Sequence, residues 1–238
     1  DLYQRYLDSP LAIRYDDLRD ERRALLFDQD RRLWREPLIE PVPAYPLCGT
    51  YFADVAHELL DVSWGRAITK EVADFLEPPL FTDPFTGERR QPYSHQYEAF
   101  QHALVERQDV VVTTGTGSGK TECFLVPILA ELVRESRQWS APGTRPAEWD
   151  WWDERHTTLR GRSQQRHGHR VSQRVHETRP AAMRALLLYP LNALVEDQLV
   201  RLRLALDSGA ARTWLDAHRN GNRIYFGRYT GRTPIPGK

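Results

Sequence analysis

Cysteine is almost absent. Cys48 and Cys123 are the only two in 238 residues, too few for a disulfide framework or a cysteine-rich zinc site, and a reducing cytoplasm fits that count. No apolar run approaches the roughly 18 residues that a membrane-crossing helix needs, so no membrane role is expected. No initiator methionine or basic-then-apolar leader opens the chain, and Asp1 is expected to be an internal start. Lysine is scarce too, at Lys70, Lys120 and Lys238, so nearly all the positive charge is arginine, whose fork suits phosphate oxygens. The formal net charge of zero hides an asymmetry: residues 1–108 hold 13 basic and 20 acidic side chains, and residues 109–238 hold 20 basic and 13 acidic. A basic second half points to a polyanion such as nucleic acid; a solvated surface would give the same counts.

Apolar residues recur at roughly helical spacing from Leu11 to Trp34, predicting one or two amphipathic helices. Pro37, Pro41, Pro43 and Pro46 then make an extended connector, and Tyr51 to Leu60 and Ile68 to Leu76 read as helices ahead of Pro78 and Pro79. The second half alternates strand with helix. Strands are predicted at Val110 to Thr113, at Arg184 to Tyr189 and from Arg223. Helices are predicted at Lys120 to Glu135, Asn192 to Leu206 and Ala211 to His218. Short continuous apolar runs ahead of helices predict an α/β fold with a parallel sheet covered on both faces. The expected domains are a mostly helical N-terminal region over 1–80 and an α/β lobe over 81–238, interrupted by an inserted element at about 136–180. That insertion carries Trp139, Trp149, Trp151 and Trp152, and between Arg155 and Arg179 it holds seven arginines and four histidines against one acid, Glu177. Nucleic-acid contact and a solvated insertion both account for it. His167 and His169 lack a thiolate or carboxylate at ligand spacing and make no metal site.

The chemistry sits in "DVVVTTGTGSGKTE". Glycines at 115, 117 and 119 let the loop from Gly115 through Thr116, Gly117 and Ser118 to Gly119 turn its amides inward around a nucleotide's phosphates. The helix starting near Lys120 adds its positive dipole end. Lys120 then reaches the β- and γ-phosphates of ATP, and the Thr121 hydroxyl sits on Mg²⁺. A dinucleotide-binding turn is the rival, and the Lys-Thr pair with close glycine spacing counts against it.

With Thr114 standing where a glycine is usual, "TGTGSGKTE" resembles motif I of superfamily 2 helicases, the DEAD/DEAH-like group. Upstream, "PYSHQYEAF" resembles a Q motif. The resemblance implies that Gln96 reads the adenine edge and that Tyr93 stacks nearby. "LLLYPLNALVEDQLVRLR" resembles motif Ia, implying that Pro190 and Asn192 meet a nucleic-acid backbone at a helix N-terminus that Asn192 can cap. "RYTGRTP" resembles motif Ib and implies backbone contacts from Thr230, Gly231 and Arg232. Together with the arginine-rich insertion, these runs resemble the helicase subunit of the DISARM phage-defence system. The resemblance implies a RecA-like P-loop lobe, incomplete here, in an ATP-dependent DNA helicase or translocase that works with a partner defence protein of the DUF1998 type. RNA stays open as the nucleic acid.

Hydrolysis in this class needs a D-E-x-[DH] box. "WWDERHTT" spells one at Asp153, Glu154, Arg155 and His156, but it follows no apolar strand and precedes motif Ia, so it reads as coincidence. The working box and a second lobe are expected beyond Lys238, with the fragment alone inactive. Two other classes compete: another P-loop NTPase, such as a secretion motor or a small-molecule kinase, and a non-enzymatic DNA-sensing scaffold.

Overall fold

The computed structural model describes residues 13–27, 43–146 and 171–230. The chain divides into two compact units, Asp1–Ala44 and Tyr45–Lys238. In the first, α1 spans Asp16–Leu26, with Asp16 and Asp17 in its first turn and Arg23 in its last, charges that suit the helix dipole. None of its residues is buried. The remainder of the helical pattern expected up to Trp34 lies outside the described residues.

The second unit opens on an extended segment that pairs with residues 92–94. The Cys48 amide donates to Pro92 O at 2.9 Å, the Ser94 amide to Pro46 O at 2.9 Å, and Leu47 bridges Tyr93 in antiparallel fashion. Two helices follow, α2 (Phe52–Trp64) and α3 (Arg66–Phe81), broken apart by Gly65 at φ +84°, a left-handed value that a side chain would resist. The sequence predicts α3 to stop before Pro78, yet it runs through Pro78 and Pro79. The two prolines remove the amides that would bond Asp74 O and Phe75 O, and past them the Thr82 hydroxyl donates to Glu77 O at 3.2 Å, tying down the helix end.

Next come α4 (Ser94–Phe100), which continues into a π turn over Gln101–Val105, and α5 (Lys120–Ser136). α6 (Asn192–Asp207) and α7 (Gly209–His218) close the described chain. α3 lies at the centre, packed on α2, α5 and α6, while α4 packs on α5. Phe52 stacks on Phe81 with ring centroids 4.6 Å apart, and Leu76, Phe100, Leu129 and Leu215 are fully enclosed in the same core. The helices of residues 45–80 therefore share a core with the helix that follows the phosphate loop.

The three predicted strands are not seen as strands among the described residues. Among the described residues there is no β-strand, and the runs at 110–113, 184–189 and 223–229 carry no helix and no ladder. A strand exists only through hydrogen bonds to a neighbour, and none of these runs makes a ladder with another described segment. Val111 at 87% and Leu188 at 81% exposure are the consequence: side chains suited to a covered sheet stand open.

Candidate functional site

The phosphate loop is built by two glycines that no other residue replaces. Gly119 caps α5 in the left-handed region (φ +72°, ψ +33°), and a Cβ there would lie 2.4 Å from Gln96 Nε2. Gly117 adopts φ +75°. Between them Ser118 is buried, its hydroxyl 2.6 Å from the Thr114 hydroxyl and donating to Gly115 O at 3.0 Å, which closes the loop into a tight turn. Thr114 thus has a structural task where a glycine is the usual residue. The Lys120 ammonium donates to Thr114 O at 2.8 Å and to Gly115 O at 2.5 Å, so it lies across the loop's own concave side.

The first turn of α4 grips this loop. Gln96 is 3% exposed; its Nε2 donates to Gly119 O at 2.8 Å and its Oε1 accepts from the Tyr93 amide at 2.9 Å, the second half of a capping box. His95 Nε2 lies 2.8 Å from Ser118 O, and since a carbonyl only accepts, this nitrogen carries the proton. Tyr93 stacks on His95 with centroids 5.5 Å apart, and Tyr45 meets both rings edge-on at 5.8 and 5.7 Å. The Tyr45 hydroxyl is buried without a hydrogen-bond partner among the described residues and points at Gly115, where a Cβ would come within 2.5 Å of it.

A cavity of about 1200 Å³ opens over these residues. Tyr93, Gln96, Gly117, Ser118, Gly119, Lys120 and Thr121 all line it, together with Glu122 and Arg201. Gly115 and Thr116 complete the loop without lining this cavity. The donor set suits a polyphosphate: a lysine, a hydroxyl and a helix N-terminus, in a cradle that glycine alone keeps open. No cluster of His, Cys, Asp or Glu able to hold a metal occurs among the described residues.

The second group of expected residues lies elsewhere. α6 begins at Asn192, but its N-cap is Leu191, in extended geometry (φ −129°, ψ 138°) and with no side-chain cap bond. Asn192 is the first helical residue and caps nothing, which leaves the helix N-terminus without a side-chain oxygen in front of it. Pro190 is exposed directly ahead of that terminus, and Thr230 is half-buried at the end of the described chain. Gly231 and Arg232 lie outside the described residues, as do Asp153, Glu154 and most of the insertion. Its flanks are tied down: Arg179 stacks on Trp139 at 3.4 Å, and the Thr178 hydroxyl donates to Ala141 O at 3.1 Å.

Sequence reasoning missed three contributors. Tyr45 lies in the proline-rich connector with no spacing to link it to the loop 70 residues later. His95 lies inside the run "PYSHQYEAF", and nothing in that pattern points to Ser118 O as its partner. Glu122 follows Lys120-Thr121 directly and pairs with Arg201 Nη1 at 2.7 Å, a contact across 79 residues that no pattern announces.

Comparison with known proteins bears on the same segments. Residues 93–223 match the DEAD/DEAH box helicase family. Druantia protein DruE of Escherichia coli (strain UMEA 4076-1) is 32% identical over 236 residues, an alignment that spans 99% of this chain but only 10% of that protein. No solved structure matches. Since the matched span runs from the aromatic residue ahead of α4, through the phosphate loop, to the end of α7, and covers more than half of the sequence, the chain belongs to the DEAD/DEAH box helicase family and carries that family's RecA-like P-loop fold.

Proposed function

We propose that this chain is the nucleotide-binding part of an ATP-dependent nucleic-acid helicase or translocase acting on DNA, in the cytoplasm, in defence against phage. The observation that carries the reading is the convergence of Lys120, Thr121, Tyr93 and Gln96 on one cavity. In this reading the amides of Gly115 to Gly119 hold the phosphates and Lys120 leaves its two loop carbonyls for the β- and γ-oxygens. Thr121 supplies an oxygen to Mg²⁺, which neutralises charge on the phosphates when bound. Gln96 keeps one N–H and one lone pair beyond its two bonds, enough to read an adenine edge while it braces Gly119. Pro190, Asn192, Thr230, Gly231 and Arg232 contact the nucleic-acid backbone, favoured by the uncapped N-terminus of α6. The resemblance around Asn192 and Thr230 supports a defence helicase of the DISARM kind working with a partner protein; the relative found by comparison bears a different name, Druantia protein DruE.

The decisive experiment is ATP turnover, with and without single-stranded DNA, by a chain long enough to carry both lobes. Lys120→Ala should abolish turnover and leave the fold intact; unchanged turnover in that variant removes the assignment. Turnover indifferent to DNA and RNA alike would favour a secretion motor or kinase. No nucleotide binding at all would favour a DNA-sensing scaffold.

A further inference from the structure

Resting on the proposed function, we infer that the Glu122–Arg201 pair is the link through which the phosphate loop and the nucleic-acid-facing helix α6 sense one another. Glu122 is in the first turn of α5, two residues beyond Lys120, and its amide donates to Gly119 O at 3.2 Å. Its carboxylate is wedged against the loop: Oε2 would lie 3.1 Å from a Cβ at Gly119, and the side chain is only 12% exposed. Arg201 projects from α6, nine residues beyond the helix start at Asn192, and donates from Nη1 to Glu122 Oε1 at 2.7 Å. Its Nε faces Asp197, one turn earlier on the same helix, at 3.6 Å. Burial raises the Tyr189 phenol, with Arg201 opposing the rise and Asp197 adding to it, so the residue next to Pro190 stands within electrostatic reach of the same guanidinium.

α6 and α5 share no other ion pair among the described residues, and both partners line the cavity in which Lys120 and Thr121 lie. Any shift of the loop around phosphate displaces Gly119, hence Glu122. A guanidinium held by carboxylates on two helices then chooses between them. Arg201 is a positioning residue in this scheme, touching neither ligand, and thermodynamic reciprocity requires that what nucleotide does to nucleic-acid affinity, nucleic acid does equally to nucleotide affinity.

The test titrates the protein with a fluorescent ATP analogue, with and without a saturating single-stranded DNA oligonucleotide. Wild type should show nucleotide affinity changed by about 5- to 150-fold when DNA is present. Arg201→Ala and Glu122→Gln should each bring that factor close to one, and the double variant should lose no more than either alone, because they remove one shared contact. Arg203→Ala, an arginine elsewhere on α6, should keep the wild-type factor. A factor that persists in Arg201→Ala, losses that multiply in the double variant, or a wild type that binds both ligands without coupling would each overturn the link while leaving the proposed function standing. A wild type that binds neither ligand would overturn both.

Discussion

Two atoms of space decide the phosphate loop at the scale of single residues. Gly119→Ala forces a Cβ to 2.4 Å from Gln96 Nε2 at a φ of +72°, so strain and clash act together. The left-handed conformation alone costs about 1–2 kcal/mol for a residue with a Cβ, and relief of the clash breaks the bond from Gln96 to Gly119 O. Nucleotide affinity should fall at least tenfold in Gly119→Ala, measured by titration, and adding Gln96→Ala should recover part of the lost melting temperature by clearing the space. Tyr45 gives the opposite case. Its hydroxyl is buried without a partner among the described residues, and a buried unsatisfied donor costs about 1–3 kcal/mol. Tyr45→Phe should leave the melting temperature unchanged or raise it, and Gly115→Ala should be better tolerated on that background than alone. A clear loss of stability in Tyr45→Phe would show that the hydroxyl has a partner after all. Cys123 supplies a chemical check of burial at the same place: it is 4% exposed, and burial pushes its thiol up to about 11. Thiolate is the reacting form, so at pH 8 iodoacetamide should modify native Cys123 far more slowly than the same residue in denatured protein, read by mass spectrometry.

At the scale of elements, the longer helices were legible while α4 was not predicted and the expected strands are not seen among the described residues, for a physical reason. Helical hydrogen bonds close within the segment, so the stretch from Lys120 to Glu135 carries its own specification and appears as α5, one residue longer. The run from Arg184 to Tyr189 has a strand's composition, but its partners are not written in it. What orients that run in the described chain is a side-chain fork instead: Arg184 Nη2 meets Glu135 Oε1 at 2.7 Å, and Arg184 Nε lies 3.0 and 3.1 Å from the two carboxylate oxygens. The motif residues Tyr93, Gln96 and Lys120 were readable because short spacings hold them, whereas the Glu122–Arg201 contact depends on how α5 and α6 cross. The Arg184 fork holds the Glu135 carboxyl below its ordinary value of 4.5, helped by the Trp139 indole. A carboxyl lowered on folding contributes fully above the unfolded value and loses its contribution as pH falls through the lower folded one. Both partners are about a third exposed, so the contribution is near the upper end of surface pairs, about 1 kcal/mol. Glu135→Gln should therefore melt lower than wild type at pH 7, and the difference should shrink as pH drops below 4.5; a constant difference would locate the effect in packing.

At the scale of the whole molecule, stability resides in the second unit. The buried cluster starts at Phe52 and ends at Ile224, and no described residue of Asp1–Ala44 is buried. A large part of that cluster comes from α2 and α3, whose side chains share it with those of α5, and Arg219 ties the C-terminal end of α5. It donates to Ser136 Oγ at 2.6 Å and to Val133 O at 3.2 Å, pairs with Glu71, and lies over Trp214 at 4.7 Å. Removing a buried partner from such a set leaves the other groups uncompensated and costs about 3 kcal/mol. Two truncations separate these contributions. A chain beginning at Pro43 keeps Tyr45 against the loop and every residue of the cluster, and should melt within a degree or two of the full chain in one cooperative transition. A chain beginning at Thr82 loses Phe52, Leu60, Phe75 and Leu76 from the core and should not fold, although it retains every residue of the proposed nucleotide site from Tyr93 onward. If the shorter chain instead folded and bound nucleotide with the affinity of the longer one, the packing of α2 and α3 on α5 would be dispensable, and the first 80 residues would have no part in holding the site.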